Sequence, residues 1–598
     1  MSQENVDELK RQIKELESKV AYLNAQLKED NRFGLKWIDV PEAFDAESEN
    51  KIPILEEVPE LAITNNDGKP THILIEGDNY HALTCLNYTH HGKVDVIYID
   101  PPYNTGSDGF TYKDKRFLDK YPDGSNLPVN HPLRHSSWLS FMSKRIELAH
   151  DLLTDEGVIL ISIDDNEYAN LKLLCDKVFD GKNYVATFIW RGGKRNMAKW
   201  ISTSHEYMLM YAKNLSSCSA AGVEWREEKR GLKEIFDFEI KLRKKYKSNY
   251  EEATKELKQW FKKDASLESR EHEHYCNIDE KGIYCMDNVS RVGGGKYSIV
   301  NPINNKIIAP PTRGWAFGKE EDFWKAYNEG RIMFMDNDNL PIFKRYLHDN
   351  QKQLLDTVFY RDRRGAKIRL RDLMGGEYFE YPKDEEIIAE KLKSFSKKDS
   401  VILDFFAGSG TTMHSTMQLN AEDGGQRQCI LININENNIC RNVTYERNKR
   451  VIEGYVTPKG LDVKGLGNSL KYYRTAFVGA NDCSQATDND KTILAQKAGC
   501  LLALAENTLY EQKTTDNYQI FKDKDSDVWT AVYFKEDYRP KYFNEFVDAV
   551  KALTGTKNVY IFSWGDVGSF DAYFDDDSNA HIKGIPQPIL DIYKSLNS

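Results

Sequence analysis

The chain has 598 residues, 40% hydrophobic, 29% charged and 12% aromatic, which excludes fibrous and disordered chains and is too long for one domain. Nine scattered cysteines in no framework spacing fit reduced thiols, and no run of about 18 apolar residues offers a membrane span. The net charge of −11 is segregated: residues 191–383 carry 37 Lys and Arg against 29 Asp and Glu, a local +8 that leaves −19 for the rest. A basic insert in an acidic body suits a module that reads a polyanion, although solvated helix faces such as 233–263 give the same excess.

In chain order, the first pattern is a heptad. Val6, Leu9, Ile13, Leu16, Val20, Leu23 and Leu27 are spaced 3-4-3-4-3-4, with mostly β-branched residues at a and Leu at d. That pattern predicts a parallel two-stranded coil over residues 1–30, and the alternating charge of Met1–Glu29 is unlike a secretory signal. From residue 72 strands alternate with helices: Ile73–Glu76, a helix through Leu83 and Leu86, the apolar run Val94–Ile99, a second run Gly157–Ile163, and a helix with Leu171, Leu174 and Val178. Apolar strands separated by helices predict a parallel sheet covered on both faces. The rhythm stops near Trp190 and resumes with a helix at Glu385–Leu392, a strand at Val401–Phe406, a helix at Thr412–Leu419 and a strand at Cys429–Ile434. One sheet interrupted by a domain-sized insert follows. In the insert, His272, His274, Cys276 and Cys285 have irregular spacing across the hairpin turn Asp279–Gly282, so no metal site is expected. Beyond Gly454 a linker leads to a mixed segment with strands near Val528–Phe534 and Val559–Trp564.

Two turns carry the chemistry. Asp404-Phe405-Phe406-Ala407-Gly408-Ser409-Gly410-Thr411 joins a buried strand to a helix, where glycines permit close approach and free N–H groups attract a polar ligand. No Lys follows the glycines and the third Gly of a dinucleotide fingerprint is missing, so a nucleoside without phosphates fits best. Glu436, near the end of the next strand, can accept both hydroxyls of a ribose. The sharper signal is Asp100-Pro101-Pro102-Tyr103 at the carboxyl end of a strand. A carboxylate, a rigidly oriented carbonyl and an aromatic face together suit a planar exocyclic amine. A capped helix start explains Asp-Pro but not the whole tetrad.

These residues resemble the amino-methylating DNA methyltransferases that use S-adenosylmethionine, sharing the tetrad at Asp100–Tyr103 and the cofactor loop at Asp404–Gly410. The order tetrad, insert, cofactor loop resembles the β-class permutation. Tyr98–Gly109, Ser162–Glu167, His205–Tyr211 and Asn435–Cys440 are similar to the modification (Mod) subunits of type III restriction-modification systems. The resemblance implies an α/β fold: a Rossmann-like class I methyltransferase sheet in permuted order, an inserted α+β target-recognition domain, an N-terminal coiled-coil helix and a C-terminal mixed domain. The corresponding boundaries are 1–30, 31–190, 191–380, 381–455 and 456–598.

It further implies roles. Phe406, Gly408 and Gly410 would line the methionine end of S-adenosylmethionine, with Asp404 at the base and Phe405, Ala407, Ser409 and Thr411 completing the loop. Glu436 would take the ribose and Asp78 would lie near the adenine. Asp100 and the Pro101 carbonyl would hold the target amine, and Pro102 and Tyr103 would complete the site, with Tyr103 stacking on the base. Adenine is favoured over cytosine because the first tetrad residue is Asp, where N4-cytosine methylases usually carry Ser. The expected DNA contacts are Arg191, Lys194 and Arg195 where the insert begins, and Arg361, Arg363, Arg364, Lys367, Arg369 and Arg371 near its end. The implied protein is a cytoplasmic homodimer acting on double-stranded DNA beside a restriction (Res) helicase-nuclease partner. A stand-alone methylase, an N4-cytosine enzyme and a catalytically silent DNA-binding subunit are the alternatives.

Overall fold

The computed structural model describes residues 35–38, 51–105, 132–193, 200–335, 340–362, 364–479, 481, 483–536, 538–565, 567–574 and 578–596. The heptad segment 1–30, Lys194, Arg195 and Arg363 lie outside the described residues. The chain forms two compact units, one from residues up to 223 together with 356 onward, the other from Glu224–Leu355.

The first unit is built on a ten-stranded sheet. In chain order its strands are β1 (Ile52–Glu57), β2 (Thr71–Glu76), β3 (Val94–Ile99), β4 (Leu153–Ile163), β5 (Tyr184–Arg191), β6 (His205–Ala212), β7 (Val358–Tyr360), β8 (Val401–Asp404), β9 (Gln428–Asn433) and β10 (Ser469–Val478). Their spatial order is β1-β10-β2-β9-β8-β3-β4-β6-β5-β7. From β10 to β4 every pair is parallel, and β6 runs antiparallel to both β4 and β5. The central strands are apolar on both faces because helices cover both: Val96, Ile97, Ile99, Ile402, Leu403, Ile430 and Ile432 are fully buried. The helices used below are α1 (Asn79–Thr89), α2 (Pro132–Leu152), α3 (Tyr168–Val178), α4 (Arg364–Met374), α5 (Glu385–Phe395), α6 (Thr411–Asp423) and α7 (Glu446–Glu453).

Counted from β8, the run β2-β9-β8-β3-β4 reads 3-2-1-4-5, the doubly wound order. The antiparallel β6 between β4 and β5 completes the mixed α/β sheet expected of a class I methyltransferase. The chain leaves β8 toward β9 on one side and leaves β3 toward β4 on the other. The switch point therefore falls between β8 and β3, and ligands of such sheets bind beyond the carboxyl ends of the strands at that point.

The boundaries differ from the sequence expectation in two places. The insert expected over 191–380 is compact only over Glu224–Leu355, because β6 and β7 are main-sheet strands that flank it. The C-terminal segment expected from 456 contributes β10, which pairs with β1 on one side and β2 on the other. A strand that lies beside neighbours some 400 positions away leaves no trace in local periodicity. The rest of that segment carries a five-stranded sheet, Tyr510–Thr514, Tyr518–Lys522, Val528–Tyr533, Thr556–Phe562 and Ala580–Ile585, paired in sequence order. Its Phe521, Val532, Phe562 and Ile585 share one apolar core with Leu83, Leu86 and Ile54 of the main sheet's layer.

The second unit packs two helices, Leu232–Tyr246 and Tyr250–Lys263, on a small antiparallel sheet. The single charged helix expected over 233–263 is broken at Lys247, whose φ is +52°, and restarts where Asn249 caps the Glu252 N–H. The hairpin turn at Asp279–Gly282 is present, with Asp279 accepting from the Lys281 N–H at 2.9 Å. Among the described residues no group of three or more His, Cys, Asp or Glu is arranged to hold a metal ion. His272 Nε2 instead lies 3.1 Å from the Arg230 carbonyl.

Candidate active site

β3 ends at Ile99 and delivers Asp100-Pro101-Pro102-Tyr103 at its carboxyl end, beside the switch point. The tetrad is locked from behind. Trp138 of α2, fully buried, donates its indole N–H to the Pro102 carbonyl at 2.7 Å. Asn104, at φ +56°, donates to Glu167 at 2.6 Å, and the fully buried Glu167 also meets His135 and Asn170 at 2.7 Å each. Asn104, directly after Tyr103, is left-handed, a conformation Asn tolerates because its amide bonds locally.

Four polar side chains meet at the tetrad. The Tyr103 hydroxyl donates to Asp100 Oδ1 at 2.7 Å and accepts from Lys383 Nζ at 2.7 Å. Lys383 Nζ lies 3.1 Å from Asp100 Oδ1 and 3.1 Å from both oxygens of Glu206. Beneath them, Tyr98 and Ser162 bond across β3 and β4 at 3.0 Å. Burial pushes the Asp100 carboxyl above its usual range; Lys383 opposes that rise and Glu206 adds to it. Lys383 is held above its ordinary value, since Asp100 and Glu206 together outweigh its desolvation.

The adjacent strand supplies the glycine turn: Ile402 and Leu403 of β8 pair with Val96 and Ile97 of β3, so the two motifs leave neighbouring strands at the same rim. Asp404 shapes the turn by accepting from the Phe406 N–H at 2.9 Å and the Thr412 hydroxyl at 2.5 Å, and burial raises its carboxyl to about 7. The resemblance assigned the whole run 404–411 to the cofactor, but only Phe406 and Gly408 keep exposure. Phe405, Ala407, Ser409, Gly410 and Thr411 are buried, so the side chains of Phe405, Ala407, Ser409 and Thr411 pack inward and shape the loop. The buried Arg447 of α7 braces it, donating to Ser409 Oγ at 3.0 Å and Thr411 Oγ1 at 2.8 Å.

Gly408 and Gly410 are both left-handed, at φ +49° and +75°. A Cβ on Gly410 would stand 2.4 Å from Asn448 Nδ2 and 3.1 Å from the Thr444 carbonyl, whereas one on Gly408 meets Phe379 Cζ at 3.6 Å and the Phe406 carbonyl at 3.8 Å, ordinary contacts. Gly410 is required by helix packing, Gly408 by the open side of the turn.

Along the same rim, Asp78 follows β2 and caps α1 through the Tyr80 N–H at 2.7 Å, while the buried Arg145 reaches its carboxylate at 3.3 Å. Its neighbour Asn79 donates to the Phe405 carbonyl at 2.9 Å, tying this corner to the glycine turn. Glu436 lies three residues past β9 in a short 3-10 turn and is half-buried. The strand end itself is held by Asn433, which donates to the Gly408 carbonyl at 3.0 Å and to Thr444 at 2.7 Å.

The basic run near 361–371 is the one the sequence assigns to DNA contact. It folds largely as α4, and each described member has a carboxylate nearby: Arg361 with Glu386, Arg364 with Asp362, Lys367 with Glu377, Arg369 with Asp384 and Glu385, Arg371 with Asp372. Arg369 and Arg361 brace the start of α5, where Asp384 is almost fully buried. Arg364, 86% exposed, and Arg191 at the end of β5 remain at the surface. Lys383 and Glu206 were missed at the sequence level. The available signal for Glu206 was its place at the start of an antiparallel strand, which returns to the rim where the parallel strands end.

Fold and site define a class: the chain belongs to the DNA methylase family, whose model matches residues 94–443. Within that class it is similar to Mod subunits of type III restriction-modification enzymes. It is 31% identical to that of EcoP15I from Escherichia coli, over 61% of this chain and 58% of that one. The match to StyLTI from Salmonella typhimurium is 34% over 62% and 53% of the two chains, and to EcoPI from Escherichia phage P1 32% over 61% and 58%. The chain thus spans between half and three fifths of the length of these relatives.

Proposed function

We propose that this protein methylates the 6-amino group of adenine in double-stranded DNA, as the modification subunit of a type III restriction-modification system. The observation that carries the reading is the placement of Asp100–Tyr103 and the glycine turn on adjacent strands at one switch point. Gly408, Phe406 and Glu436 are residue types that suit S-adenosylmethionine: a turn with positive φ, an aromatic face, and a half-buried carboxylate for ribose hydroxyls. That cofactor supplies, when bound, an electrophilic methyl group.

The amine's chemistry sets the work of the protein side chains. The lone pair of an adenine amine is delocalised into the ring and is a poor nucleophile. Trp138 already occupies the Pro102 carbonyl and Tyr103 and Lys383 occupy Asp100 Oδ1, so the acceptors left for the target are Asp100 Oδ2 and the Pro101 carbonyl. Accepting both N–H bonds draws the nitrogen toward sp³ and orients its lone pair, which is positioning combined with electrostatic stabilisation. Asp100 then stabilises the positive charge that grows on the nitrogen and favours loss of its proton. The target must leave the duplex to reach the rim, and the Tyr103 ring replaces part of the stacking it gives up.

The remaining parts of the reading are a cytoplasmic homodimer joined through residues 1–30, a Res partner that supplies cleavage, and DNA contacts by Arg191, Lys194, Arg195, Arg363, Arg364, Lys367 and Arg371. Among the described residues no helix is long and apolar enough to cross a membrane. Incubation with methyl-labelled S-adenosylmethionine and duplex DNA, followed by nucleoside mass analysis, tests the chemistry. Label in N6-methyladenine is expected; label in N4-methylcytosine would correct the base, and none would overturn the reading. Deleting residues 1–30 is expected to halve the sedimenting mass, and an unchanged profile would remove the dimer role from that segment.

A further inference from the structure

The ammonium of Lys383 has three N–H donors, and all three are matched: Tyr103 Oη at 2.7 Å, Asp100 Oδ1 at 3.1 Å and the Glu206 carboxylate at 3.1 Å. Its side chain is 13% exposed, and the rings of Tyr103 and Trp190 lie 5.2 and 5.9 Å from Nζ. A cation so enclosed has no donor left for a phosphate or a cofactor carboxylate. Its place among the acceptors that the target base needs indicates work on those acceptors. We infer that Lys383, anchored by Glu206, is the positioning residue of the tetrad: it keeps the Asp100 carboxylate ionised and fixes the Tyr103 ring against which the target base stacks. The inference rests on the reading of the tetrad given above.

The charge balance makes the case. Asp100 and Glu206 would confront each other across a partly dry site, and two carboxylates so placed cannot both stay ionised without a cation. One Lys between them leaves a single negative charge, shared among three groups. The other groups facing Asp100 do not supply that cation. Tyr98 and Tyr103 on its own strand and loop are neutral, with hydroxyls held well above their usual range by burial and these carboxylates. Asp404 at the end of β8 and Asp164 after β4 are acids, raised by burial, and supply no positive charge. Asp384, next to Lys383, is neutralised by Arg369 at 3.0 Å. Among the described residues, Lys383 is therefore the cation that contacts the tetrad. The same contacts orient the Tyr103 hydroxyl, which accepts from Lys383 and donates to Asp100, so Oδ2 is left facing the amine.

The sign of the effect follows. The reaction requires ionised Asp100, so rate falls as pH drops through the carboxyl's folded-state value. Removing Lys383 raises that value and moves the acid limb up, while removing the Glu206 charge moves it down. The test compares wild type, K383M, K383R and E206Q by the pH dependence of single-turnover methyl transfer at saturating DNA and cofactor. Cofactor affinity is measured by calorimetry, and the carboxyl infrared band of the protein alone is titrated. K383M is expected to shift the acid limb upward by about one pH unit or more, a tenfold change in proton affinity. K383R should restore much of its position, E206Q should lower it, and cofactor affinity should be unchanged in all. An unmoved limb in both K383M and E206Q overturns the inference, as does loss of cofactor binding in K383M with an intact rate at saturation. Should K383M fail to fold, E206Q and K383R alone decide it. The infrared titration separates this inference from the tetrad reading: a carboxyl protonated to higher pH in K383M supports the charge-holding role even in a protein that transfers no methyl, whereas identical titrations overturn it.

Discussion

Asp100→Ala is expected to lower the rate of methyl transfer by on the order of 10²–10³-fold, the usual cost of deleting one preorganised electrostatic partner. DNA and cofactor affinity should change little. The fold should tolerate the change, because Asp100 is 29% exposed and its removal leaves Lys383 and Glu206 as a neutral ion pair. Asp100→Asn separates two parts of the role, keeping an acceptor oxygen while losing the charge. It should retain more activity than the alanine variant and lose the acid limb, which in the wild type lies above the ordinary carboxylate range because burial raises Asp100. Single-turnover rates across pH check both, and an alanine variant as active as wild type would remove Asp100 from the chemistry.

Gly410→Ala should act on the other half of the site, through structure. The residue is left-handed, and the new Cβ would meet Asn448 at 2.4 Å and the Thr444 backbone at 3.1 Å. The conformational cost is roughly 1–2 kcal/mol and the overpacking cost roughly 1–3 kcal/mol, so a clear loss of thermal stability is expected together with weaker cofactor binding. Gly408→Ala, whose new Cβ would meet nothing closer than Phe379 at 3.6 Å, should lose cofactor affinity with a smaller loss of stability. Equal melting curves for the Gly410 variant and the wild type would contradict the packing role.

The parts legible in the sequence were those with local signatures. Val94–Ile99 and Val401–Phe406 read as buried parallel strands from their mainly apolar residues, and the motifs that follow them need specific backbone geometry. The first strand has those bounds, and the second ends earlier, at Asp404, where the glycine turn begins. Non-local contacts were illegible. Lys383 precedes α5 with nothing nearby to mark it, and it reaches the tetrad only because the chain returns from the insert at that point. In the charge run at 361–371, composition counts cations without their partners, and the pairing of Arg369 with Asp384 and Glu385 leaves no local signature. Glu436 lies past the strand end rather than on it, since Asn433 holds that place through Gly408 and Thr444.

The late strand β10 bears on how the molecule can be made. It lies between β1 and β2, so every residue of the methylase motifs leaves the ribosome before the strand that joins these two does. Until Ser469–Val478 emerges, β2 has an open flank, and Asp78 beyond it hangs from a half-built edge. A polypeptide stopped after Gly454 would contain both chemical motifs intact and still leave that edge bare, prone to pair with another nascent chain.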